Sequence, residues 1–182
     1  VDALLADLTL QQEAVRNRRI ASIFIGGGTP SLFSERAIGK LMAGIGQQLT
    51  FAHDIEITIE SNPGSAEAAR FAGYRASGIN RLSIGVQSFD DAMLKRLGRV
   101  HNSTEALRSI ALAQAAGFER YNIDLMHGLP AQTPEGASRD IRTAIAHNGG
   151  HLSWYQLTIE PNTGFYNAPP QLPEEPALID IQ

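Results

Sequence analysis

The sequence predicts an α/β domain built from parallel βα repeats, with its functional site at the carboxyl ends of the strands. Five short apolar runs alternate with helical patterns and return about every thirty residues, which is typical of βαβ units. Polar residues follow each apolar run. Both a barrel and an open doubly wound sheet fit this rhythm, and both bind ligands beyond the carboxyl ends of their strands.

The five predicted strands are short, rich in β-branched or aromatic residues, and bounded by turn residues. They cover residues 22–25, 55–59, 81–86, 121–126 and 152–159. Apolar residues at helical spacing predict helices between them, at residues 34–49, 65–76, 103–116 and 134–147. Ser34 and Ser65 are predicted N-caps, Pro134 stands at a first helical position, and Gly117 follows a helix end.

The two ends of the chain have patterns of their own. The sequence starts without Met, in a helical pattern of Leu4, Leu5, Leu8 and Val15, so we interpret it as a fragment that begins inside a helix. Residues 162–176 contain four prolines and are predicted to be an extended segment leaving the domain.

Composition excludes several classes of protein. The chain has 182 residues, 43% of them hydrophobic, which is enough for one globular domain. The net charge of −4 gives no basic surface for nucleic acid, and no apolar stretch is long enough to span a membrane. No signal peptide opens the chain, and the absence of cysteine excludes disulfides and thiolate metal sites within it. A cytoplasmic location is the expectation.

Each strand end offers polar groups at the edge where a parallel sheet binds ligands. They lie in residues 26–31, 60–64, 87–90, 124–130 and 158–162. The run of Gly26, Gly27 and Gly28 would let the backbone approach a ligand closely. It has neither P-loop nor dinucleotide-binding spacing, and alone it fits a tight turn equally well. The concentration of polar groups at five strand ends favours a ligand site.

Two features of the histidines in the sequence predict neither a metal site nor a catalytic residue. His147 and His151 are four residues apart, but Asn148, Gly149 and Gly150 interrupt the helix that would put both on one face, so no metal site is predicted. His127 falls in the site region, where a single histidine more often supplies shape or a hydrogen bond than catalysis. No catalytic residue is assigned.

Four segments, in order and at consistent spacing, resemble the radical S-adenosylmethionine proteins related to oxygen-independent coproporphyrinogen III oxidase. They are FIGGGTPS at 24–31, ESNPG at 60–64, RLSIGVQSF at 81–89 with LGRVH at 97–101, and NIDLMHGLP at 122–130. Within that family, ESNPG, the position of His127 and LSWYQLTIEPNT at 152–163 are more similar to the HemW-type heme chaperones than to the oxidases.

The resemblance implies a fold and cofactors. The family fold is a partial (β/α)6 barrel, so residues 1–160 are expected to supply strands two to six and residues 161–182 an exit segment towards a C-terminal region. Three cysteines after the first strand hold a 4Fe-4S cluster in this family, and S-adenosylmethionine bound to it is cleaved to a 5′-deoxyadenosyl radical. This chain lacks those cysteines, so we expect them upstream and expect the fragment alone to be inactive.

The resemblance also implies which residues bind S-adenosylmethionine. The segment of Gly27, Gly28 and Thr29 matches the backbone that holds the ligand's amino group. Four further positions match residues that contact the ligand in the oxidase: Glu60, Gln87, Arg99 and Asp124. Carboxylates suit an ammonium and ribose hydroxyls, and an arginine suits the ligand carboxylate. Thr158, at the last strand end, is a weaker candidate.

Three functions remain open on the sequence. The first is a heme chaperone that binds heme and passes it to acceptor proteins. The second is an oxidase that converts coproporphyrinogen III to protoporphyrinogen IX. The third is a βα-repeat domain of another enzyme, in which the glycine run is only a turn. The quoted segments favour them in that order.

Overall fold

A computed structural model describes residues 1–64, 68–147 and 149–181. The strands are β1 (Arg19–Ile25), β2 (Thr50–Ser61), β3 (Arg81–Gln87), β4 (Tyr121–His127) and β5 (Gly150–Gln156). The helices are α1 (Asp2–Gln11), α2 (Glu35–Gln48), α3 (Phe71–Ala76), α4 (Asp91–Arg96), α5 (Ser103–Ala115), α6 (Pro134–Ala146), α7 (Gly164–Asn167) and α8 (Glu175–Ile181). Short 3-10 turns lie at Gln12–Val15 and Pro30–Leu32. None of these described helices is long and apolar enough to cross a bilayer.

The strand order distinguishes the two architectures that the sequence left open. The described strands form one sheet in the order β1-β2-β3-β4-β5, and each neighbouring pair is parallel. An open doubly wound sheet would reverse its strand order at a switch point, whereas a barrel adds each strand beside the last. The sheet is therefore a curled half-barrel, as expected for part of a (β/α)6 barrel.

The hydrophobic core lies on the convex face of the sheet, under the helices. Ile59, Ile84 and Ile123 are fully buried there. They share a core cluster with Ile38 of α2 and Ile110 of α5. Because side chains alternate across a strand, the intervening residues point to the concave face. Every second side chain of a strand therefore lies in the core, and the side chains between them lie on the concave face.

Local signals explain most helix boundaries. The Ser34 side chain accepts a hydrogen bond from the backbone N–H of Ala37 at 3.2 Å, as predicted for an N-cap. Gly117 has a φ of 82°, as a residue after a helix end should. Helix α5 begins at Ser103, as predicted, and Asn102 caps it in a capping box with Glu105. The predicted cap Ser65 lies outside the described residues.

Three strands differ from the prediction by more than one residue, and the first of them, β1, begins at Arg19 rather than at residue 22. Strand β2 begins at Thr50, because its first residues pair with the start of β1 before a register shift. Strand β5 covers 150–156 and not 152–159. Its partner β4 ends at His127, which pairs with Gln156, so no neighbouring strand is left to pair with later residues. Helix α4, six residues long, was not predicted.

The proline-rich segment does not leave the domain as an extended chain. It contains α7 and α8. Phe165 and Leu172 pack against a second apolar cluster, which includes Met126 and Leu157. These apolar contacts explain why the segment returns to the domain. The predicted domain boundary at residue 160 stays a prediction.

Helix α1 confirms the predicted N-terminal helix but buries little. None of its residues is buried, and Leu10 is 81% exposed. Leu5 is half-buried and lies against α2 at Gly44, where an added Cβ would meet the leucine side chain. The helix therefore contacts the domain through one edge.

Candidate functional site

The concave face of the half-barrel contains a cavity of about 550 Å³. Residues from all five described strands line it. Its lining is mostly polar, whereas the interior of a complete barrel is usually packed with branched apolar side chains. A concave, unfilled cavity on which several polar groups converge is a candidate ligand site.

Most of the predicted binding residues meet in this cavity. Those that line it are Gly28, Thr29, Glu60, Gln87, Arg99 and Asp124. Gly27 contacts one of them, because its backbone N–H donates a hydrogen bond to Glu60 Oε2 at 3.1 Å. Thr158 is exposed beyond the end of β5 and is not among the described lining residues. The structure thus groups the first seven and leaves Thr158 apart.

The glycine run is required by its geometry. Gly27 and Gly28 have φ values of 80° and 56°, which favour glycine. A Cβ on Gly26 would lie 2.7 Å from the Phe24 ring and 3.1 Å from the Glu60 carboxyl group. Each glycine therefore permits either a left-handed backbone or a close approach between β1 and β2.

The loop after the glycine run is fixed by side chains from the segment that precedes α3 and from α3 itself. Arg70 donates to the backbone carbonyls of Ser31 and Leu32 at 2.8 and 2.9 Å. The Tyr74 hydroxyl lies 2.8 Å from the Ser31 carbonyl and 2.7 Å from that of Phe33. These bonds hold the loop, and with it the glycine run, at the mouth of the cavity.

Gln87 ends β3 in a strained conformation. Its φ is 69° and its side chain is buried. The Tyr155 hydroxyl donates to Gln87 Oε1 at 2.6 Å, which links β3 to β5 across the cavity. Burial, followed by the nearby Asp124 carboxylate, raises the pKa of Tyr155. Strained backbone often occurs at functional sites, and Gln87 lines the cavity.

The backbone around Gln87 is fixed from the convex side. Asp140 of α6 accepts hydrogen bonds from Ser88 Oγ at 2.7 Å and from the Phe89 N–H at 2.8 Å. Burial raises the pKa of the Asp140 carboxyl group. His101 Nε2 lies 3.0 Å from the Val86 carbonyl, so the loop that carries Arg99 is tied to the end of β3.

Asp124 lies in a network of hydrogen bonds on the concave face. Ser83 Oγ donates to Asp124 Oδ2 at 2.8 Å, and Asn122 Nδ2 donates to Asp124 Oδ1 at 2.7 Å. Asn122 also contacts Ser153 Oγ at 2.8 Å and His151 Nδ1 at 2.6 Å. We call these five residues the Asn122 network. It orients the carboxylate of Asp124 in the cavity.

Sequence reasoning missed eight polar lining residues that lie within the strands. They are Glu56, Thr58, Arg81, Ser83, Asn122, His151, Ser153 and Tyr155. Arg81 forms an ion pair with Glu56 at 2.9 Å, so this part of the cavity is internally paired. The signal was present in the alternation of polar and apolar residues at 54–60, which we used to assign a strand but not a polar face.

The histidines do not form a cation site. His127 is buried and stacks on Trp154, with ring centroids 5.0 Å apart. Burial lowers its pKa. His151 belongs to β5 and the Asn122 network, whereas His147 caps the end of α6. Within the described ranges no cluster of three or more His, Asp or Glu side chains could hold a metal ion.

Comparison with known proteins gives a consistent family assignment. The model of the radical SAM superfamily matches residues 5–144. Heme chaperone HemW of Haemophilus influenzae is 53% identical over 178 residues, which is 98% of this chain and 46% of that protein. HemW of Escherichia coli is 53% identical over 181 residues, covering 100% of this chain and 48% of that protein.

A solved structure agrees with the fold. Coproporphyrinogen III oxidase (HemN) from Escherichia coli, a radical SAM enzyme, superposes with a TM-score of 0.87 at 30% identity. The match covers 99% of this chain and 42% of the oxidase. The chain therefore spans about half the length of the relatives it matches, 46% and 48% for the two chaperones.

Proposed function

The chain belongs to the radical SAM superfamily, and from that premise we propose that its concave cavity binds S-adenosylmethionine. One observation carries the proposal: side chains from separate strand ends converge on one polar cavity of about 550 Å³. That volume lies within the range of about 300–1,000 Å³ that is usual for small-molecule sites.

The chemistry of the cavity fits this ligand. S-adenosylmethionine carries an ammonium, a carboxylate, a sulfonium and ribose hydroxyls. Glu60 and the glycine backbone suit the ammonium, and Asp124 suits the ribose hydroxyls. Arg99 suits the carboxylate through charge-assisted hydrogen bonds. Arg99 forms no ion pair with any described residue, which leaves its guanidinium group available to a ligand anion.

The iron–sulfur cluster does not fit this chain alone. The sequence contains no cysteine, so it offers no thiolate ligand for iron. We propose that the 4Fe-4S cluster is held by cysteines upstream of Val1, beside β1. The residues described here bind and orient S-adenosylmethionine, whose radical chemistry depends on that cluster.

For the full-length protein we propose heme binding and delivery to acceptor proteins in the cytoplasm. The support is 53% identity, over nearly the whole chain, to proteins named heme chaperone HemW. The alternative is oxidation of coproporphyrinogen III, which is supported by the structural likeness to HemN at the lower identity of 30%.

Reconstitution of the full-length protein distinguishes the two functions. The protein is loaded with iron and sulfide under anaerobic conditions and incubated with S-adenosylmethionine and coproporphyrinogen III. The chaperone hypothesis predicts stable heme binding and no protoporphyrinogen IX by chromatography. If protoporphyrinogen IX forms with catalytic turnover, the chaperone hypothesis is wrong and the oxidase hypothesis is supported.

Ligand binding tests the cavity itself. Asp124→Ala and Gln87→Ala should each weaken S-adenosylmethionine binding at least about tenfold, equivalent to about 1.4 kcal/mol, with little loss of fold. Equilibrium dialysis of the cluster-loaded protein measures the affinity, and thermal unfolding checks the fold. Unchanged affinity in both variants would make these residues structural and move the binding site elsewhere.

A further inference from the structure

Resting on the proposed function, we propose that Asn122 is a positioning residue, which sets the carboxylate of Asp124 in the orientation that receives S-adenosylmethionine. Asn122 lies two residues before Asp124 on the same face of β4, one step deeper in the half-barrel. Both side chains line the cavity. The Asn122 side chain itself is buried.

The amide of Asn122 has a single orientation that satisfies its neighbours. Its Nδ2 faces three oxygens, on Asp124, Ser83 and Ser153, at 2.7, 2.9 and 2.8 Å. Its Oδ1 faces His151 Nδ1 at 2.6 Å. A carbonyl oxygen only accepts, so His151 Nδ1 carries the hydrogen in this contact. The reversed amide would set its oxygen against the Asp124 carboxylate.

The network binds the carboxylate from the deep side. Asp124 Oδ1 accepts from Asn122, and Oδ2 accepts from Ser83 Oγ. Ser83 also accepts from Asn122, so its own hydrogen is directed to Asp124. Each carboxylate oxygen keeps further acceptor capacity for a ligand at the open end of the cavity. Without Asn122 the carboxylate could rotate, and ordering it would reduce the affinity for the ligand.

A double-mutant cycle in the full-length, cluster-loaded protein tests this role. The variants are Asn122→Ala, Asp124→Ala and the double variant, and equilibrium dialysis measures S-adenosylmethionine affinity. Asn122→Ala should weaken binding about tenfold in the wild-type background. In the Asp124→Ala background it should change binding less than about twofold, because a residue that acts through Asp124 has nothing left to position.

Asn80→Ala is the matched control. Asn80 also makes two side-chain hydrogen bonds, from the Ile57 N–H and to the Ile55 carbonyl, both 2.7 Å, but it is not among the cavity-lining residues. It should lower the thermal unfolding temperature without changing the affinity for S-adenosylmethionine. If Asn80→Ala lost as much affinity as Asn122→Ala, the effect of Asn122→Ala would be due to general destabilisation, and the proposal would be overturned.

His151→Ala keeps the experiment decisive if Asn122→Ala fails to fold. His151 is exposed, and its removal takes the donor from Asn122 Oδ1, which loosens the amide without emptying a buried position. We expect about threefold weaker binding, again absent in the Asp124→Ala background. Additive losses would overturn the positioning role while leaving the proposed function intact. If Asp124→Ala itself binds normally, the proposed site at Asp124 fails, and the positioning role fails with it.

Discussion

The two faces of one sheet differ in almost every property that side chains confer. On β4 the convex residue Ile123 is fully buried in the core, whereas its neighbours Asn122 and Asp124 line the cavity. On β2 the same holds for Ile59 between Thr58 and Glu60. Consecutive residues of one strand therefore alternate between the core and the cavity. We expect a substitution on the convex side to reduce stability, and a substitution of its neighbour on the concave side to reduce ligand affinity.

The concave face is polar and surrounds a cavity rather than a packed interior. Polar side chains on this face bond to one another, as Arg81 does with Glu56 and Asn122 does with Asp124. The convex face lies under helices, and most of its buried side chains are apolar. This difference gives four predictions.

The largest effect is expected on the convex face. Ile123→Ala should reduce the free energy of unfolding by about 2–5 kcal/mol, because it removes a fully buried side chain and leaves a cavity between sheet and helices. Urea unfolding of the full-length protein measures it. Asp124→Asn, one residue on, should change stability by less than about 1 kcal/mol. Equal losses in both variants would contradict the division of the two faces.

That division could be predicted from the sequence only in part. The apolar residues on the convex side gave the strands and the fold class, because their repeat rhythm is local. The glycine run, Glu60, Gln87 and Asp124 were found at strand ends. Asn122 and Tyr155 were missed, since a polar residue within a strand also fits a solvent-exposed face. Only the curvature of the sheet distinguishes an open face from a cavity.

Two errors have tertiary causes. The end of β5 depends on where its partner β4 stops, which the sequence of β5 does not record. The segment after residue 160 contains five prolines, yet Phe165 and Leu172 attach it to an apolar cluster formed by α4, β4 and the following loops. Local composition cannot reveal a distant apolar partner.

A second, smaller effect is expected at the boundary between the faces, in the glycine run. Gly28→Ala puts a side chain at a φ of 56°, which costs about 1–2 kcal/mol even though the space around it is open. We expect the free loop to relax and relieve this strain, so that binding has to restore it and S-adenosylmethionine affinity falls about tenfold in equilibrium dialysis.

Gly136→Ala is the control for the glycine substitution. Gly136 lies in α6 with no positive φ, and its added Cβ would approach nothing closer than 3.5 Å. Affinity should be unchanged and stability slightly higher, since alanine is the better helix former. Normal ligand binding by Gly28→Ala would exclude the loop backbone from the site.

A third prediction concerns a polar exception on the convex face. Burial lowers the pKa of His127 below the unfolded value, so protonation favours the unfolded chain. The stability it contributes is present above about pH 6.5 and is lost as the pH falls through the folded-state pKa. His127→Phe keeps a ring against Trp154 and should flatten the fall in stability on acidification.

Urea unfolding of both proteins between about pH 5 and pH 7.5 measures this effect. His101, whose pKa burial also lowers, remains in the variant and keeps part of the pH dependence. An unchanged pH profile in His127→Phe would show that His127 binds protons equally in both states.

The smallest effect is expected from one hydroxyl on the concave face. Tyr155→Phe keeps the ring but removes the 2.6 Å hydrogen bond to Gln87, so the buried amide loses its link to β5. We expect about threefold weaker S-adenosylmethionine binding and a stability change below about 1 kcal/mol. Tyr121→Phe removes a matching hydroxyl on the convex side, where it donates to the His147 carbonyl. Tyr121→Phe should lose stability and retain its affinity for S-adenosylmethionine. If instead Tyr121→Phe lost affinity and Tyr155→Phe lost stability, the two faces would not differ in their roles in folding and binding.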